Sequence, residues 1–126
     1  MKILCVLESA YRATLEEQDD TIVWISHALK GAGAGVDVLL SGGAVNYAVQ
    51  AQDASGLSFG GLEQTQPPRL ADDVSALLGK GVTVYVLQDD LDERGIPADS
   101  LIGGLETVRR DGLAGLYGGY DQVWRW

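Results

Sequence analysis

The chain has 126 residues, enough for one domain around a single core. Its 46% hydrophobic content is that of a globular protein, and 18 Asp and Glu against nine Lys and Arg leave a formal charge of −9. That charge repels phosphate backbones and anionic lipid, which sets aside nucleic acid and membranes as partners and favours a basic protein surface.

From the N-terminus, Lys2–Leu7 reads as a first strand. Its apolar run of five residues is too short for a signal peptide, and nothing in the chain reaches the roughly 18 apolar residues of a spanning helix. Asp19, Asp20 and Thr21 then offer N-caps to a helix whose Ile22, Ile25, Leu29 and Ala32 recur at about helical spacing, with Lys30 and Gly31 as its stop. Residues 36–40 form a second strand, and Ser41, Gly42 and Gly43 turn the chain into a short helix over residues 44–50. Residues 51–68, with glycine, serine and a Pro-Pro pair, show no period and read as a long loop.

Order returns at Arg69. Leu70, Val74, Leu77 and Leu78 make a helical stripe that Gly79, Lys80 and Gly81 close. Val82, Val84 and Val86 alternate with Thr83, Tyr85 and Leu87, a strand covered on both faces as parallel strands are. The apolar run stops at Gln88, and Asp89, Asp90, Asp92 and Glu93 lead into a short helix closed by Arg94 and Gly95. Residues 101–108 read as a weak helix-to-strand step broken by Gly103 and Gly104. Asp111 is expected to cap a short helix with Leu113, Leu116 and Tyr117, before a last strand over residues 122–126. Five strands separated by helices predict one domain over residues 1–126, a three-layer α/β/α sandwich with a mainly parallel sheet, whose buried layer holds Ile3, Cys5, Leu7, Val38, Leu40, Val84 and Val86. The strand order cannot be read from this pattern.

The segment GVTVYVLQDDLDERGI (residues 81–96), a valine-rich strand passing through a short helical turn into Arg-Gly-Ile, resembles the DsrE/DsrF-like family of sulfur-relay proteins, which includes the TusB, TusC and TusD subunits. MKILCVLES (1–9) resembles the family's opening strand, ALKGAGAGVDVLL (28–40) its first helix-to-strand return, and DQVWRW (121–126) its terminal strand; residues 50–68 have no counterpart. In the sulfur-accepting members a cysteine ends the central strand eight residues before the glycine, where this chain has Leu87. The branch typified by DsrH and TusB carries its cysteine in the first helix, and residues 19–32 contain none. The resemblance therefore implies the fold and a sulfur-trafficking context without the acceptor thiol. It also implies a homo-oligomer, trimer or hexamer, and a sulfur-relay protein as partner.

In a parallel sheet, ligands gather beyond the carboxyl ends of the strands. Three segments are expected there around one pocket: Glu8, Ser9, Ala10 and Tyr11; Ser41, Gly42 and Gly43; and Leu87, Gln88, Asp89 and Asp90. Ser9, Tyr11, Gly42, Gly43, Leu87, Gln88 and Asp89 are the candidate ligand- or partner-binding residues. The Ser-Gly-Gly turn could present backbone N–H groups to an anion, or simply be a tight turn that needs glycine. Glu8, Asp89 and Asp90 could supply hard oxygen ligands to magnesium, but acids here also suit a helix start, and no metal or cofactor is expected.

His27, the single histidine, falls mid-helix and suits packing better than catalysis; Cys5 falls inside a strand, where free cysteine acts as a small hydrophobe. A lone cysteine forms no intramolecular disulfide and fits a reducing cytoplasm. Trp124 and Trp126 share one side of the last strand, and Phe59, among loop glycines, is the candidate oligomer contact. The leading expectation is a non-catalytic or degenerate DsrE-like subunit, structural or partner-binding. A stand-alone small-ligand binder using the strand-end pocket and a sulfur carrier through Cys5 are the alternatives.

Overall fold

The computed structural model describes residues 1–10, 20–52 and 55–126. The opening apolar run is β1 (Lys2–Leu7). Helix α1 (Thr21–Gly31) starts at Asp20, whose carboxylate accepts from the backbone N–H groups of Ile22 at 2.8 Å and Val23 at 3.1 Å. These are amides that a helix start otherwise leaves unpaired. The same carboxylate accepts from the Tyr47 hydroxyl at 2.6 Å, which ties the cap to the turn after the second strand.

The buried stripe of α1 differs from the one expected. Val23 and Ser26 are its buried residues, Ile22 and Leu29 pack beside them, and Ala32 is exposed. Spacing fixes the period of a stripe but only loosely its phase. Ser26 enters the core because its hydroxyl donates to the Ile22 carbonyl at 2.8 Å, so no polar group is left bare.

Strand β2 (Gly35–Leu40) runs into a 3-10 helix over Gly42–Ala48. The stretch expected as a featureless loop contains a hairpin, β3 (Ser58–Phe59) with β4 (Leu62–Glu63). Its turn is Gly60-Gly61, both at positive φ (52° and 87°), which matches the strand twist in a two-residue hairpin. Gln64 closes the base, its N–H donating to the Leu57 carbonyl at 2.8 Å while its Oε1 accepts from the Leu57 N–H.

Helix α2 (Leu70–Gly79), strand β5 (Val84–Leu87) and helix α3 (Gln88–Glu93) follow as expected. Two corrections come next. No helix forms over residues 101–105, where Gly103 and Gly104 make a turn into β6 (Glu106–Val108). Asp111 does not cap α4 (Leu113–Gly118): it lies inside a 3-10 turn, Arg110–Gly112, and the cap position is Gly112. Strand β7 (Gln122–Arg125) ends the sheet.

The five long-range strands form one parallel sheet in the order β6-β5-β2-β1-β7. The chain steps outward from β1 to β6 and then crosses back to lay β7 on the other side of β1. One face carries Ile3, Cys5, Leu7, Val38, Leu40, Val84 and Val86, all buried, against α1, α2 and the 3-10 helix through Val23, Val45, Val74 and Leu77. Each such side chain is worth roughly 1.5–3 kcal/mol when withdrawn from water, so this layer dominates the stability. The opposite face buries Leu4, Val6 and Leu39 under Leu113, Leu116 and Tyr117 of α4, with Tyr85 and Tyr120 alongside. These are the three layers expected, with very unequal cover. Among the described residues, no helix is long and apolar enough to cross a membrane.

Candidate functional site

Parallel register brings the carboxyl ends of β1, β2, β5 and β7 to one edge of the sheet. There a cavity of about 430 Å³ opens on the α4 side. Its apolar floor is Leu39 and Leu87 from the sheet with Leu113 and Tyr117 from α4, and its polar wall is Glu8, Ser41, Gly42, Asp90, Arg110 and Arg125.

Asp90 organises the wall. It is 6% exposed; its Oδ2 accepts from the Gly42 N–H at 2.6 Å and its Oδ1 from an Arg110 nitrogen at 3.1 Å. Arg94, one helical turn on, stands 3.9 Å from the same carboxylate. A buried carboxylate persists only when its charge is met in this way. Gly42 can take its place because it has no Cβ: its φ is +53°, and an added Cβ would lie 2.5 Å from the Glu8 carbonyl oxygen. Next to it, Ser41 Oγ donates to the Leu7 carbonyl at 3.0 Å, which locks the end of β2 onto the end of β1.

Glu8 accepts from Arg125 at the rim, an ion pair between the ends of β1 and β7 that holds the guanidinium in its charged state. Asp89 accepts from the backbone N–H of Arg110 at 2.9 Å. That bond is the main reason its carboxyl sits below the usual range, and the charges of Arg110 and Arg109 add to it.

The three expected segments do converge, though not residue for residue. Gly42 and Leu87 line the cavity. Gly43 supports it from behind, its N–H donating to the Glu8 carbonyl at 3.1 Å while its Cα faces Ala10. Ser9 is exposed beside the cavity, Gln88 donates to Asp92 at 2.8 Å along its own helix, and Asp89 is engaged with Arg110. Tyr11 lies outside the described residues. The edge that carries Asp89 and Asp90 is of mixed charge, because arginines from distant parts of the chain meet its acids.

Leu39, Arg110, Leu113, Tyr117 and Arg125 were not among the expected site residues. Arg125 had a readable signal: two tryptophans on one side of the last strand place the arginine between them on the other. Arg110 had none.

Glu8 is engaged by Arg125, and Asp89 and Asp90 by the backbone N–H and the guanidinium of Arg110, and no group of three or more metal-ligating side chains occurs among the described residues. Cys5 is fully buried in β1 between β2 and β7, and burial pushes its thiol pKa up, with a Ser26 hydrogen bond opposing. His27 Nε2 lies 2.9 Å from the Asp73 carbonyl oxygen, between α1 and α2. A second depression, of about 450 Å³, is lined by Ala51, Ser55, Pro68, Leu70, Arg69 and Asp72 among others. Gln52, Ser55, Arg69 and Asp72 give it polar groups, but it collects no strand end, so the strand-end cavity is the better candidate by its place in the sheet.

No family model and no curated protein matches the chain. Among solved structures it is similar to the ychN protein from E. coli, at 20% identity over 99% of this chain and 98% of that one, with a TM-score of 0.76. It is also similar to MTH1491, a protein of unknown function from Methanobacterium thermoautotrophicum, at 16% identity over 98% of this chain and 97% of that one, with a TM-score of 0.61. Likeness at these identities shows a shared fold, the DsrE/DsrF-like one, over nearly the whole chain.

Proposed function

We propose that this chain is a DsrE-like subunit without an acceptor thiol, which works by association, with copies of itself and with a sulfur-relay protein that supplies the reactive cysteine. The observation that carries this reading is Leu87. It occupies the strand end at which the resembled family places its cysteine, forms part of the cavity floor and is 4% exposed, so the position is built as packing. The chain's single thiol, Cys5, sits in the middle of the sheet with its nucleophilic form disfavoured. This weighs against the alternative in which Cys5 carries sulfur.

The association half of the reading is supported by the hairpin. Phe59 and Leu62 are each 63% exposed and pair across a two-residue turn whose geometry is fixed by glycine. An apolar tip held in a defined shape loses little conformational freedom on docking.

Incubation with a persulfide donor followed by intact-mass measurement tests the proposal. No sulfur should be gained under native conditions. A stoichiometric gain of one sulfur atom that disappears in Cys5→Ser would overturn it.

A further inference from the structure

We propose that the strand-end cavity binds a small organic anion, a carboxylate or similar acid group carried on an apolar body. This goes beyond the association reading and depends on neither a partner nor an oligomer.

On a chain of formal charge −9, the cavity's charged lining is balanced, Arg110 and Arg125 against Asp90 and Glu8. What differs between the two signs is access. The Asp90 side chain is 9% exposed and already accepts on both oxygens, and the Glu8 side chain, 43% exposed, is ion-paired with Arg125, while the Arg110 and Arg125 side chains are 56% and 63% exposed. A guanidinium carries five N–H donors in a fixed fork, and the contact with each carboxylate uses one nitrogen. The acids therefore hold the two arginines in place at the cavity wall, and each guanidinium keeps N–H donors beyond the one its carboxylate takes.

Beneath the arginines lie Leu39, Leu87, Leu113 and Tyr117. Bare phosphate or sulfate would leave that floor unused, and a cation would have to displace an arginine from Glu8 or Asp90, each of which already accepts from one. An acid with a ring or short chain satisfies both parts: its head takes the forks, and its body covers the leucines. The volume, about 430 Å³, lies within the range of small-molecule pockets.

Benzoate is a suitable probe, with benzyl alcohol, benzylammonium and inorganic phosphate as comparators, read by methyl NMR of the leucines in the full-length protein. The expected result is saturable benzoate binding that shifts the Leu39, Leu87 and Leu113 methyl signals. Binding should be about tenfold weaker in Arg125→Gln and in Arg110→Gln, and absent for the alcohol and the amine. Arg125→Gln changes an exposed side chain at the sheet edge, so it keeps the test decisive if Arg110→Gln disturbs Asp90. Equal binding of benzyl alcohol or benzylammonium, equal effects of phosphate, or benzoate binding unchanged in Arg125→Gln would each overturn the proposal, as would no saturable shift with benzoate at all.

Discussion

At the scale of single residues, the strand-end cavity depends on Gly42 more than on any charged group. Its positive φ and its approach to Glu8 leave no room for a side chain, while its N–H is the donor closest to Asp90. Backbone strain of this kind costs on the order of 1–3 kcal/mol, before any loss from displacing the Asp90 contact. Gly42→Ala is therefore expected to lower the unfolding free energy by about 2 kcal/mol or more, seen as a lower denaturation midpoint in urea. An unchanged midpoint would mean that the turn relaxes freely.

Asp89 gives a second expectation at this scale. Its folded pKa is depressed, mainly by the Arg110 N–H, so its contribution to stability is present above the unfolded carboxylate pKa and is lost as pH falls through the lower folded value. Wild type should lose more thermal stability than Asp89→Asn on acidification across that window, and the two should respond alike at neutral pH and above. Leu87 and Gly42 were legible from sequence because a strand end and a glycine turn are local signals. Arg110 was not, because nothing in its neighbours tells that β6 pairs beside β5, with Val108 opposite Leu87, and so brings the residues after it to Asp90.

At the scale of elements, legibility followed the apolar period. Strands β1, β2 and β5 are short apolar runs buried on both faces and helix α2 buries one regular stripe, so run length and spacing carried them. The hairpin has only two residues per strand, all of them exposed, and so leaves no period to read. Its cue was the Gly60-Gly61 pair, a hairpin turn signal hidden in a glycine-rich stretch. Since Phe59 touches solvent more than core, Phe59→Ser should leave the melting temperature close to that of wild type while weakening self-association. A large fall in melting temperature would assign Phe59 to the protein's own packing.

At the scale of the whole molecule, the layered α/β class follows from alternating strands and helices, while the order β6-β5-β2-β1-β7 comes from pairings between segments far apart in the chain. The sheet is covered heavily on one face and by a six-residue helix on the other. The central claim, function through association, concerns this outer surface. Apolar contact yields about 25 cal/mol per Å² removed from water, whereas the polar groups at residues 89–93 are already engaged with Arg110, Arg94 and Gln88, so assembly should use the hairpin and spare that edge. Size-exclusion chromatography with light scattering at micromolar concentration tests this most directly. A trimer or hexamer that Phe59→Ser weakens and Asp89→Asn leaves intact is the result expected; a strict monomer, or an oligomer disrupted only by Asp89→Asn, would contradict it.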